Sequence, residues 1–246
     1  MPGTLIFLDN TEAIFDRSDA DDRDELMSRI LEIQENDDVH FGLHSDRPYF
    51  NLKRHHDLCK MTGPIVCERG NAVYDAAGNL LYEDSRMSDK FNLLLARFIA
   101  ESRKLDPNLG YLIHETEAGV RLLLNAQADM GELRFFVVNN KRRYSFVLYA
   151  VNRSGEQPPR LDPELMERGA KIARRLFKQI FTEEPDERIS RDNSYCLLHV
   201  QRSHKANAND ELFRNFKPEK IFVVGDTLRD YLNDRRIIQL SVVTAP

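Results

Sequence analysis

The 246-residue sequence predicts an α/β fold, a parallel-sheet core interrupted by an inserted α+β domain. Three observations predict it. Short unbroken apolar runs at 5–8, 39–44, 65–67 and 221–224 read as strands buried on both faces, the habit of parallel sheets. In the first third of the chain these runs alternate with helix-compatible stretches. From about 84 to 202 the alternation gives way to a mixed pattern, after which a helix and a buried strand return.

Each element follows from its residues. Leu5-Ile6-Phe7-Leu8 is the first strand and stops at Asp9. Residues 20–34 form an acidic helix with Leu26, Ile30, Leu31 and Ile33 as its apolar positions. The charge run at 19–25 lacks the glycine and terminal glutamate of a calcium-binding loop, so it is a solvated helix start. Residues 39–44 form the second strand, ending at Ser45. The helix at 48–61 is broken by Gly63-Pro64, and 65–67 is the third strand. Residues 71–82 have the form of a hairpin, with strands at 72–74 and 80–82 around a turn at 75–79. In the mixed segment, 91–102 is a helix and 120–125, 133–138 and 144–151 are strands. Pro158-Pro159 marks a loop, 163–181 is a long amphipathic helix and 194–200 is a strand. A helix at 206–216 leads to the strand at 221–224 and to Gly225-Asp226, and 240–244 forms a last strand. The expected division is 1–83 and 203–246 for the core and 84–202 for the insert.

Composition narrows the function. With 35 basic and 40 acidic side chains the net charge is -5, which argues against a general nucleic-acid binder. No apolar stretch approaches the roughly 20 residues that span a bilayer, and the run at 4–8 is too short for a signal sequence. Cys59, Cys67 and Cys196 form neither a disulfide framework nor a CxxC pair, so a reducing cytoplasm is the expected location. The expected partner is a small molecule, with no nucleic acid and no membrane.

Two buried strands end in aspartate, Leu8-Asp9 and Val224-Gly225-Asp226. Ligands of open α/β sheets collect beyond the carboxyl ends of the strands, where two such residues can meet. Two carboxylates with a carbonyl and waters suit Mg²⁺, a hard cation that keeps part of its water shell. Ser45 adds a hydroxyl and Lys205 a fixed positive charge. A carboxylate nucleophile, a hard cation, a hydroxyl and a lysine together serve phosphoryl transfer. Taken singly, each residue has a plainer role: a turn for either aspartate, a helix N-cap for Ser45, a solvated side chain for Lys205, a surface ion pair for Arg47. The order of the elements favours the chemical role. His55 and His56 do not share a helical face, whereas His40 and His44 share a strand face; His44 lies next to Ser45 and could approach the site, with a packed or partly exposed histidine the preferred reading.

Four stretches resemble known motifs. They are Leu5 to Asp9; Leu43-His44-Ser45-Asp46-Arg47-Pro48; the run from Ile65 to Asp75, similar to I-x-x-E-N-G-A-x-I-Y-D; and Gly225-Asp226-Thr227-Leu228-Arg229-Asp230, which matches G-D-x-x-x-D. In this order, over essentially the whole chain, they resemble the haloacid dehalogenase (HAD) superfamily. The likeness is to its Cof-like sugar-phosphate phosphatases and archaeal phosphoglycolate phosphatases. The stretch 194–199 followed by Lys205 is similar to the phosphoglycolate phosphatases' third motif. The resemblance implies a Rossmann-like HAD core with an inserted α+β cap of the C2 type. It implies that Asp9 attacks phosphorus to form an aspartyl-phosphate. Mg²⁺ would be held by Asp9, the Thr11 carbonyl and Asp226, with Asp230 in support. Ser45 would hydrogen-bond a phosphoryl oxygen and Lys205 would neutralise its charge. Asn10, Asp46 and Arg47 join Ser45 and Lys205 on the substrate side. The implied substrate is a small phosphorylated metabolite, a sugar phosphate or a phosphoglycolate-like acid.

The first motif departs from the family's D-x-D-G-T, because Asp9-Asn10-Thr11-Glu12-Ala13 stands there. Thr11 replaces the aspartate that serves as general acid/base, a role worth roughly 10²–10⁴-fold in rate. A shifted alignment would put Phe7 at the nucleophile position; Asp9 is preferred because the apolar strand ends there. The expectation is therefore a phosphatase of reduced turnover. The alternatives are a catalytically impaired ligand- or partner-binding protein, or a phosphotransferase or mutase exploiting a long-lived aspartyl-phosphate.

Overall fold

The computed structural model describes residues 3–9, 20–36, 38–114, 120–123, 132–139, 142–155, 158, 160–190, 195–199, 208–225 and 236–241. The chain divides into two compact units, one formed by Met1–Asp84 with Ser203–Pro246 and the other by Ser85–Arg202.

The first unit opens with β1 (Thr4–Asp9), α1 (Ala20–Asn36), β2 (Val39–His44), α2 (Tyr49–Leu58) and β3 (Ile65–Cys67). A turn at Glu68–Gly70 then leads to the hairpin β4 (Ala72–Tyr74) and β5 (Leu80–Glu83). The second unit contains α3 (Ser85–Ser102), β6 (Gly110–His114), β7 (Val120–Leu123), β8 (Glu132–Asn139) and β9 (Ser145–Ser154). It continues with β10 (Arg160–Leu161), α4 (Pro163–Phe181), β11 (Asp186–Ser190) and β12 (Tyr195–His199). The chain returns to the first unit with α5 (Asn209–Phe216), β13 (Lys220–Gly225) and β14 (Ile237–Ser241).

In the first unit the sheet order is β14-β13-β1-β2-β3-β4-β5. It is parallel from β14 to β3 and antiparallel through the hairpin. This is the expected parallel-sheet core. One face buries Leu5, Phe7, Ile221, Val223 and Ile237 against Ala208 and Leu212 at α5. The edge of the unit between α1 and β3 is tied by Gln34. Its Oε1 accepts from the Thr62 N–H at 2.9 Å and from the Phe41 N–H at 3.3 Å, and its Nε2 donates to the Lys60 carbonyl at 3.1 Å. Buried His56 donates from Nε2 to the Gly63 carbonyl at 2.8 Å, holding the turn before β3. Gly42 is required where it stands. It lies in register with Phe7, and a Cβ there would sit 2.3 Å from the Pro64 carbonyl oxygen and 3.0 Å from the Phe7 ring.

The second unit is α+β. Its sheet runs β11-β12-β9-β8-β6-β7 with β10 on β9, antiparallel except for the β6–β8 pair. Helices α3 and α4 cover one face, packing Phe98, Leu176 and Phe177 on Phe136, Phe146 and Leu148. Helix α4 starts where its sequence says it should. The Asp162 carboxylate accepts from the Leu165 N–H at 2.9 Å, and Pro163 follows with the fixed φ of a first helical turn. The other Asp162 oxygen accepts from Arg134 Nε at 2.8 Å. The Arg174 guanidinium grips both Glu187 oxygens, anchoring α4 to β11.

Several elements differ from expectation. Helix α3 begins at Ser85 rather than 91, because Met87 extends the apolar stripe of Phe91, Leu94 and Phe98 by one turn and is itself buried. The strands β6, β10 and β11 are additional. The last strand is Ile237–Ser241 rather than 240–244, since parallel pairing with β13 starts at Ile221 opposite Ile237. Among the described residues no helix is long and apolar enough to cross a membrane.

Candidate functional site

The order of the parallel strands creates one topological switch point. From β1 the chain crosses to β2 on one side, while β13 pairs with β1 on the other. Adjacent crossovers then leave in opposite directions, and a crevice opens beyond the carboxyl ends of β1 and β13. Asp9 is the last residue of β1. Leu8 pairs with Val224, so the next residues along the two strands are Asp9 and Gly225. On the other side Asp9 pairs with His44, and Ser45 follows at once.

Ser45 is buried and doubly fixed. Its N–H donates to the Val66 carbonyl at 3.0 Å, and its hydroxyl accepts from the Arg47 N–H at 3.3 Å. It does not cap α2: Pro48 occupies that position, with no side-chain cap bond. The hydroxyl instead closes a turn over Ser45–Arg47, which holds that loop at the sheet edge. Buried His44 stands edge-on to Phe7, with ring centroids 5.6 Å apart. It is a packed core histidine.

The segment after β3 was not expected to carry a site residue. Glu68 and Arg69 both adopt left-handed backbone, φ 45° and 62°, before Gly70 at φ 82°. That conformation costs a residue with a Cβ roughly 1–2 kcal/mol. It turns the Glu68 N–H to the Arg47 carbonyl at 3.1 Å and the Arg69 N–H toward the Ser45 carbonyl at 3.4 Å. The end of β3 thereby clamps the Ser45 loop. Arg69 Nε lies 3.8 Å from an Asp46 oxygen, and its side chain is only 15% exposed. A signal existed: in the E-N-G stretch that this segment resembles, both Asn and Gly tolerate positive φ, and Arg69 stands at the Asn position.

The structure thus brings Asp9, Ser45, Asp46, Arg47 and Gly225 to one edge of one sheet. Asn10, Thr11, Lys205, Asp226 and Asp230 lie outside the described residues; Asp226 is the residue that follows Gly225 in the chain. Among the described residues no three His, Cys, Asp or Glu side chains gather as metal ligands. Asp9, the last residue of β1, is of a type whose carboxylate is a hard oxygen donor such as Mg²⁺ takes. Burial pushes the thiols of Cys59 and Cys196 up to about 11 and about 12, so neither is a nucleophile near neutral pH.

The sequence matches no protein-family model and no curated protein. Its fold has clear relatives among solved structures, and the fold they share is of the HAD type. A protein from Thermotoga maritima aligns with a TM-score of 0.60 at 14% identity, covering 98% of this chain and 86% of that one. A haloacid dehalogenase-like hydrolase from Bacteroides thetaiotaomicron aligns at 0.57 and 12% identity, covering 94% and 84%. A HAD subclass IIB sugar phosphatase aligns at 0.52 and 12% identity, covering 97% and 86%. At these identities the likeness is one of fold, a HAD-type fold.

Proposed function

We propose that the protein is a magnesium-dependent phosphatase of a small phosphorylated metabolite, acting through an aspartyl-phosphate on Asp9, with turnover limited by Thr11. The observation that carries this is the placement of Asp9 at the switch point, flanked by Ser45 and by the strand leading to Asp226. The Asp9 carboxylate displaces the alcohol from phosphorus, forming an acyl phosphate. The Ser45 hydroxyl donates to a phosphoryl oxygen and Lys205 balances its charge. Water then cleaves the acyl phosphate, releasing phosphate and restoring Asp9. Asp9, the Thr11 carbonyl, Asp226 and Asp230 would hold Mg²⁺, which supplies neutralisation of the phosphoryl charge when bound.

Thr11 cannot hold a proton as a carboxylic acid does, so the departing alkoxide and the incoming water must exchange protons with solvent. That favours an enzyme that forms the acyl phosphate more readily than it clears it. Asn10, Asp46 and Arg47 would serve the substrate side, and the second unit would act as the cap that selects the substrate. The three thiols and the absence of a CxxC pair fit a reducing cytoplasm.

Incubation with Mg²⁺ and a panel of phosphate esters tests the proposal. Slow phosphate release that Asp9→Asn abolishes is the expected result. Binding of orthophosphate without release from any ester would favour the second reading, a ligand-binding protein on the same fold, which the loss of the acid at Thr11 specifically allows.

A further inference from the structure

The second unit carries a crevice of its own between α3 and α4, with a volume of about 330 Å³. The residues of the two helices account for it. Phe91, Leu94 and Phe98 on α3 and Ala173, Leu176 and Phe177 on α4 belong to the core of the unit. Beside them the side chain of Ala100 ends in a methyl, so the helices do not close over Leu176, which forms the floor. Arg97, Arg175 and Gln179 stand around the mouth, and all three are exposed. Glu101 completes the lining, and its carboxylate is committed. One oxygen accepts from Arg175 Nη2 at 2.9 Å, and the other pairs with Lys104. The hydrogen bond from Lys104, with Arg175 behind it, holds the Glu101 carboxyl below its usual range, so it is charged at neutral pH. Arg97 lies one turn before Glu101, the weaker order for an acid–base pair on a helix. It has neither an ion pair nor a hydrogen bond among the described residues. Two guanidiniums against one carboxylate leave the lining with an excess of positive charge, located at Arg97.

We infer that the crevice between α3 and α4 is a binding site for a small organic carboxylate, its anion on the Arg97 guanidinium and its hydrocarbon body against Ala100 and Leu176. The planar fork of a guanidinium matches a carboxylate in two parallel N–H···O bonds, and Arg175 adds a second positive group at the same mouth. The apolar floor removes the body of the ligand from water. Ligand pockets run from roughly 300 to 1,000 Å³, and this one lies at the small end, which suits a short chain. Binding here needs neither Mg²⁺ nor Asp9.

The test is an NMR titration of the full chain without metal, following backbone amide shifts. The probes are hexanoate, hexan-1-ol, which keeps the chain and loses the charge, and acetate, which keeps the head group and loses the chain. Hexanoate should give saturable shifts confined to α3 and α4. Hexan-1-ol should bind about tenfold more weakly, the low end for a charge-assisted hydrogen-bonded pair because the mouth is open to water. Acetate should also bind about tenfold more weakly, having lost the buried methylenes. Arg97→Gln, a good helix former at an exposed position, should reduce hexanoate affinity to about that of the alcohol. Arg97→Lys keeps the charge without the fork and should fall between. Ala100→Leu fills the crevice, leaves both guanidiniums in place and should abolish saturable binding. Equal affinity for hexanoate and the alcohol overturns the inference, as does equal affinity for hexanoate and acetate. Hexanoate binding unchanged in Arg97→Gln or in Ala100→Leu overturns it too. So does a wild type whose shifts do not saturate or are scattered beyond α3 and α4. A melting curve on each variant separates lost binding from lost folding.

Discussion

Replacing Gly42 with alanine should destabilise the first unit by overpacking the turn at Pro64. The new Cβ would lie 2.3 Å from the Pro64 carbonyl oxygen, against the 3.4 Å and beyond of an ordinary contact. The carbonyl cannot simply withdraw, because it accepts the Leu43 N–H at 3.1 Å and so links β2 to the residues entering β3. On the opposite side the Phe7 ring is 3.0 Å away, 1% exposed and braced by His44. Overpacking of this kind costs about 1–3 kcal/mol, and loosening one buried backbone hydrogen bond adds about 1. A total near 3 kcal/mol lowers the melting temperature of a domain of this size by about 10 °C. Differential scanning calorimetry reads it directly. Gly155→Ala is the control: Gly155 has φ 57° with nothing within 4 Å of an added Cβ, so only the left-handed backbone is penalised, by about 1 kcal/mol. A Gly42→Ala protein melting within about 3 °C of wild type, or no lower than the Gly155→Ala protein, would refute the packing of β2 against the turn at Pro64.

Two further outcomes follow from buried polar groups. Asp162→Ala removes both the cap on Leu165 and the partner of Arg134, and should cost about 2–3 kcal/mol in urea unfolding. Asp162→Asn keeps the cap and should recover about half, and equal losses in the two variants would argue against the capping role. The pKa of His56 is lowered, chiefly by burial, which outweighs the Gly63 carbonyl and nearby Asp57. The unfolded chain therefore binds a proton before the folded one does. Its contribution to stability is complete above the ordinary histidine value of about 6.5 and is lost as pH falls through the lower folded value. The urea midpoint of wild type should drop between pH 7 and pH 5 by more than that of His56→Gln, which keeps a donor for the Gly63 carbonyl but cannot charge; parallel profiles would exclude His56 as the source.

The core strands were legible because burial on both faces leaves an uninterrupted apolar run, as at Leu5 to Leu8 and Ile65 to Cys67. Helix α4 was legible because its apolar stripe, Asp162 cap and Pro163 all agree. The strands that escaped are of another kind. Strand β11, Asp-Glu-Arg-Ile-Ser, sits at a sheet edge and has no apolar period; its pairing with β12 and the Arg174–Glu187 grip hold it, and both are long-range. Strand β6 did alternate, with Tyr111 and Ile113 inward and Leu112 half-buried, but the signal spans five residues amid polar flanks.

The candidate site divides along the same line. Asp9 and Ser45 could be picked out because each ends a buried strand, and the sheet order then makes them neighbours. Only the likeness to E-N-G marks Glu68 and Arg69 in the sequence, and their own preferences oppose positive φ. Two long-sequence-range contacts to the Ser45 loop compensate that backbone, and only the assembled sheet supplies them. If the clamp is what holds the pair left-handed, breaking it from the other side should be felt at Ser45. A loop released from Glu68 and Arg69 would free the Ser45 hydroxyl, which now accepts from the Arg47 N–H, beside the strand that ends at Asp9, the residue proposed above to attack phosphorus. Strain at Glu68 and Arg69 and order at Ser45 are then two sides of one arrangement, set where β2 and β3 end.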